Sequence, residues 1–108
     1  MRLFVDDLRP APGDWVLAKT ITRAITILST MKVSEVSLDH DIIFNTEQED
    51  FTAVAWFIVN MPREYRPKTV YVHTANPNGA DRLFAILKEE VDEVLRDSSY
   101  KHEWIGPK

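Results

Sequence analysis

Hydrophobic positions in this chain fall into short runs that break off abruptly. Arg2 to Val5 ends at Asp6-Asp7-Leu8-Arg9, Val33 to Leu38 at Asp39-His40-Asp41, and Thr69 to Val72 at His73-Thr74-Ala75-Asn76-Pro77. Apolar runs this short predict buried strands of a parallel sheet. Ligands of open parallel α/β sheets bind outside the carboxyl ends of the strands. The three reactive clusters are therefore expected at one edge, on parallel neighbouring strands, with the first of these strands between the second and the third.

Between these runs, Leu8 to Asp14 carries Pro10, Pro12 and Gly13, which forbid a helix. So short a connection disfavours a parallel return. Trp15 to Ala18 predicts a further strand, and Thr20 an N-cap for a helix with Ile21, Ala24, Ile25 and Leu28 on one face. A polar stretch from Asn45 to Asp50 precedes Phe51 to Met61, which is apolar nearly all round. A buried strand and a helix compete there; the length favours a helix, closed by Pro62. Ala80, Leu83, Phe84, Leu87, Val91, Val94 and Leu95 form a helical stripe with Lys88, Glu89, Glu90, Asp92 and Glu93 outside, predicting one long amphipathic helix. His102 to Ile105 is expected to add a terminal strand.

The 108 residues suit one domain, 1–108, and with 44% hydrophobic and 28% charged residues the composition is globular. A formal charge of −4 gives no attraction for long nucleic acids, whose nonspecific binding rests on Lys and Arg replacing phosphate counterions. A local pocket can still oppose that sign and hold a small anion. With no cysteine, disulfides, thiolate nucleophiles and cysteine-ligated metals are excluded. Leu3 to Val5 is far too short for a signal peptide or a membrane span, so cytoplasmic residence is the default expectation.

Asp6, Asp7, Asp39 and Asp41 fall at the ends of two neighbouring strands. Carboxylates brought that close must share a proton or a cation, and a hard divalent ion such as Mg²⁺ is the natural partner. Singly, each is accounted for by an Asx turn or a loop cap; as a set they point to a site. Strand alternation puts Asp39 and Asp41 on one side and His40 on the other. His40 and His73 suit proton transfer near neutral pH, as would His102 near the terminus. For His40, loop stacking or a backbone hydrogen bond competes with catalysis; His73, beside Thr74 and Asn76, reads as functional. Asn76 followed by Pro77 is a common helix start, and free N–H groups there, with Gly79 permitting close approach, would also suit a phosphate. Arg9 offers a bidentate phosphate contact, against the alternative of a merely solvated loop arginine.

The ordered set Leu3-Phe4-Val5-Asp6-Asp7-Leu8-Arg9-Pro10, Ser37-Leu38-Asp39-His40-Asp41-Ile42 and Val72-His73-Thr74-Ala75-Asn76-Pro77 resembles the cyclic-phosphate-processing receiver domain family, a divergent branch of the response-regulator receiver fold. The resemblance implies a three-layer, flavodoxin-like α/β sandwich around a mainly parallel sheet of about five strands, here with the first crossover helix missing. It also implies an acidic metal-binding pocket, in which Asp6 and Asp7 match the acidic pair, Asp39 the phosphoacceptor position and Thr74 the hydroxyl position after the fourth strand. No lysine stands at the end of the expected fifth strand, because Lys101 precedes it and Lys108 is the last residue; this disfavours phosphoryl signalling.

The resulting expectation is a phosphoesterase-like hydrolase acting on a cyclic-phosphate or phosphorylated nucleotide. Asp6, Asp7 and Asp39 would hold a divalent metal, Mg or Mn; His73, His40 and Asp39 would be catalytic; and Arg9, Thr74 and Asn76 would orient the phosphate. The alternative is a non-catalytic receiver-like module that signals through Asp39 or binds a nucleotide without turning it over. The partner in either case is a small phosphorylated nucleotide, with no long nucleic acid and no membrane; the sequence leaves the oligomeric state open.

Overall fold

The computed structural model describes residues 1–40, 50–74 and 76–96. Expectations for Asp41, Ala75, His102 and the terminal strand His102 to Ile105 lie outside these residues. The described elements are β1 (Arg2–Val5), β2 (Val16–Ala18), α1 (Ile21–Thr30), β3 (Glu35–Leu38), α2 (Thr52–Asn60), a 3-10 turn (Arg63–Tyr65), β4 (Thr69–Val72), α3 (Pro77–Leu87) and β5 (Glu93–Arg96). They form one five-stranded sheet in the order β2-β1-β3-β4-β5, with every neighbouring pair parallel. This is the receiver-like α/β order, and its topological switch point, where ligand crevices open, falls between β1 and β3. Of the three strands that carry the reactive ends, the one in the middle is β3, which leads to Asp39. The expectation that the Asp6 strand would lie between the other two is thereby corrected.

Period-two alternation sorts the strand residues between two faces. Leu3 and Val5, Val36 and Leu38, and Val70 and Val72 join Ala24, Ile27 and Leu28 of α1, Val54, Ala55 and Ile58 of α2, and Ala80, Leu83 and Leu87 of α3 in one buried cluster. The three helices lie side by side, α1 on α2 and α2 on α3. Thr20 caps α1 as expected, its Oγ1 accepting from Arg23 N–H at 3.1 Å, but the helix turns Ile27 inward and leaves Ile25 half-buried.

Phe4, Ser37 and Tyr71 face the other way. Over them runs the β1–β2 connection, with no helix: Trp15 meets Tyr71 edge-on at 6.0 Å, and the Arg2 guanidinium lies 5.5 Å from the Trp15 ring. Although short, this connection returns the chain parallel, against expectation. Asp6 Oδ1 accepts from both Leu8 and Arg9 N–H, Trp15 N–H donates to Pro12 C=O, and Gly13 adopts a φ of +46°. Side-chain-capped turns thus do in ten residues what a crossover helix does in more.

The long helix expected through Leu95 stops at Leu87. Glu89 takes a left-handed φ of 69°, the chain turns, and Val94 and Leu95 belong to β5, paired with Val70 and Tyr71 of β4. Val91, Val94 and Leu95 continue the helical stripe by spacing alone, while the open edge of β4 offers them a full hydrogen-bonding partner. Tertiary pairing overrides local propensity here. Since β5 ends at Arg96, Lys101 follows this strand instead of preceding it. No helix among the described residues is long and apolar enough to cross a membrane.

Candidate functional site

The sheet ladder continues one residue past each of the three strands. Asp6 N–H donates to Ala18 C=O, Asp39 N–H to Val5 C=O and His73 N–H to Leu38 C=O, each at 3.1 Å. Val5, Leu38 and Val72 are in register. The residue after each therefore emerges at the same height, on the side away from the helices. Asp6, Asp39 and His73 are all buried, and each brings one potential ligand atom within 4.8 Å of the others.

A hydrogen-bonded chain runs through this cluster. His73 Nε2 lies 2.9 Å from Asp6 Oδ2, and His73 Nδ1 lies 2.7 Å from the Ser37 hydroxyl. The His73 ring stacks on Phe4 with centroids 4.5 Å apart and planes within 5°. Arg9 is buried as well: its Nη1 donates to His73 C=O at 2.8 Å and lies 3.8 Å from Asp6 Oδ2. It is not a solvated loop arginine but a fixed positive charge that ties the β1–β2 connection to the end of β4. Asp39 Oδ1 accepts from His40 N–H at 2.8 Å. Neither Ser37 nor Phe4 stands out in the sequence as a site residue. Alternation could have found them, because each stands two positions before an acid on the same face.

The remaining expected residues lie around this group. Asp7 is half-buried and outside the converging three. His40 turns to the helix side, where Nε2 lies 3.3 Å from Asp50 Oδ2. Its ring occupies the space left by Gly79: a Cβ on Gly79 would stand 2.4 Å from His40 Cγ. Gly79 was expected to admit a ligand and instead admits His40. Asp50 Oδ1 also accepts from Thr52 N–H at 2.9 Å and from the Thr52 hydroxyl, fixing the start of α2.

Thr74 is buried, and its Oγ1 accepts from Asn76 N–H at 3.1 Å. Asn76 is the N-cap of α3: its Oδ1 accepts from Asn78 and Gly79 N–H, each at 3.1 Å. The donors that would have suited a phosphate at this helix start are thus taken by the cap. Asn76→Ala is expected to lower stability by about 1 kcal/mol, read from the urea midpoint. An unchanged midpoint would contradict the cap.

The donor set fits a small hard cation. Asp6 and Asp39 supply carboxylate oxygens from adjacent strands at the switch point, the ligand type that Mg²⁺ and Mn²⁺ prefer. The imidazole of His73 already holds Asp6, as the outer partner of a metal-ligating carboxylate would. A cavity of about 790 Å³ opens elsewhere, near the amino ends of β3 and β4, lined by Leu28, Met31, Phe57, Met61 and Tyr65 among others. It contains none of these strand-end groups, whose convergence makes the carboxyl edge the candidate site.

No curated protein and no solved structure matches the chain. A family model described as the cyclic-phosphate processing receiver domain matches residues 1–89. That span takes in β1 to α3 and every residue of the strand-end cluster. With its parallel β2-β1-β3-β4-β5 sheet and a match over most of its length, the chain belongs to the cyclic-phosphate processing receiver domain family.

Proposed function

We propose that the carboxyl edge of β1, β3 and β4 binds a phosphorylated or cyclic-phosphate nucleotide and hydrolyses one of its phosphoester bonds. The convergence of Asp6, Asp39 and His73 within 4.8 Å carries this reading, supported by the family to which the chain belongs. Asp6 and Asp39, with Asp7 beside them, would hold a divalent ion. When bound, that ion neutralises phosphate charge.

The chain's own residues account for the rest. Arg9, already desolvated and fixed, favours an anion at this edge, and Thr74 and Asn76 shape the turn against which a phosphate rests. In hydrolysis, water adds to phosphorus, the ester P–O bond breaks, the proton of the water is taken up, and the departing alkoxide receives a proton. Asp6 is the carboxylate that takes up the proton of the water and returns it to the departing alkoxide, and His73, donating Nε2–H to Asp6 Oδ2 at 2.9 Å, orients that carboxylate for the task. His40, paired with Asp50, is the second group able to carry one.

The test is incubation with cyclic mono- and dinucleotides plus Mg²⁺ or Mn²⁺, with products and bound ligand followed by chromatography. Turnover is expected, and His73→Ala, which strips Asp6 Oδ2 of this donor, should lose about 10- to 100-fold of it. Stoichiometric retention without product would replace the hydrolase by a binding module. Neither binding nor product would end the nucleotide reading.

A further inference from the structure

We propose that Ser37 is a positioning residue of this site, holding the His73 imidazole so that Nε2–H is presented to Asp6. This deepens the proposed function and rests on its use of Asp6 as the carboxylate through which protons move. Ser37 lies on β3 between Phe4 of β1 and Tyr71 of β4, and its hydroxyl stands 2.7 Å from His73 Nδ1. Ser37 and His73 are each 1% exposed. The linked serine, histidine and aspartate have the connectivity of a hydrolase triad, yet a serine this buried cannot meet a substrate. Its chemistry must act through the ring.

Among the described residues, Phe4, Ser37 and Asp6 all contact that ring. Stacking on Phe4 fixes its plane but leaves a half-turn about the Cβ–Cγ bond free. The half-turn would bring ring carbons to Ser37 and Asp6 in place of nitrogens, so the two polar contacts select one orientation. An ionised carboxylate only accepts, which puts the proton on Nε2; in the neutral ring Nδ1 must then accept, and the Ser37 hydroxyl donates. A buried hydroxyl is unfavourable unless it makes such a bond. Val36 and Leu38 flank Ser37 and turn to the helix side, while the Ser37 hydroxyl turns to His73. Ser37 therefore orients His73, and His73 orients Asp6. Loss of an outer partner of this kind typically weakens a metal site by about 10- to 100-fold.

The test combines imidazole nitrogen NMR on the metal-free protein with Mn²⁺ calorimetry. Wild-type His73, in its neutral ring, should be the Nε2–H tautomer. Folded Ser37→Ala should show a mixed or exchange-broadened His73 ring and an Mn²⁺ affinity reduced about tenfold, with Ser37→Thr restoring both. An Nδ1–H tautomer in the wild type, or unaltered ring signals in Ser37→Ala, would overturn the assignment. Should Ser37→Ala fail to fold, the wild-type tautomer and the Ser37→Thr ring decide instead. A wild type that binds no Mn²⁺ would defeat the metal in the proposed function, while the ring signals still judge Ser37.

Discussion

Asp6→Ala is expected to cost the fold about 3–5 kcal/mol, because it strips several buried groups of their acceptor at once. Asp6 Oδ1 accepts from Leu8 and Arg9 N–H, and Oδ2 holds His73 Nε2 at 2.9 Å with Arg9 Nη1 at 3.8 Å. Removing the carboxylate leaves the Arg9 guanidinium, 6% exposed, beside a cavity with no opposing charge from this residue. It also undoes the turn that returns the chain from β1 to β2. Urea unfolding should show a much lower midpoint at an unchanged slope. A loss below about 1 kcal/mol would mean that the network contributes no more than an ordinary surface ion pair.

Asp39→Asn is expected to abolish divalent-cation binding and turnover together while sparing or raising stability. Asp39 is fully buried beside Asp6, and two carboxylates this close repel when no cation lies between them. An amide oxygen can still accept the His40 N–H that Asp39 Oδ1 now holds at 2.8 Å. The charge is lost and the local bond is kept. Calorimetry should therefore find no Mn²⁺ binding in a protein that melts at or above the wild-type temperature. Undiminished binding would move the metal away from β3.

The sequence and the structure agree where the pattern has one physical reading. Arg2 to Val5 and Thr69 to Val72 are strands with those bounds, because an apolar run between polar breaks has few other uses. The strand ends were legible for the same reason, and the ladder bonds of Asp6, Asp39 and His73 explain why they converge. β5 was not legible: Val91, Val94 and Leu95 satisfy a helical period, and only the vacant edge of β4 decides against it. Arg9 was hidden by its setting, since a Pro-rich loop suggests exposure until Asp6 folds it inward. Ser37 was hidden by its size, as a serine in a strand gives no sign of its partner until β4 brings His73 above it. Gly79 reads as room for a ligand, and the room belongs to His40.

The position of a bound cation tests the central claim most directly. Substoichiometric Mn²⁺ added to labelled protein broadens the NMR signals of nearby amides. The signals of Asp6, Asp7, Asp39 and His73 should fade first in the wild type and persist in Asp39→Asn. Fading centred instead on the acidic turn of Glu89, Glu90 and Asp92, with the strand ends untouched, would contradict a metal-assisted phosphate site at the carboxyl edge of the sheet.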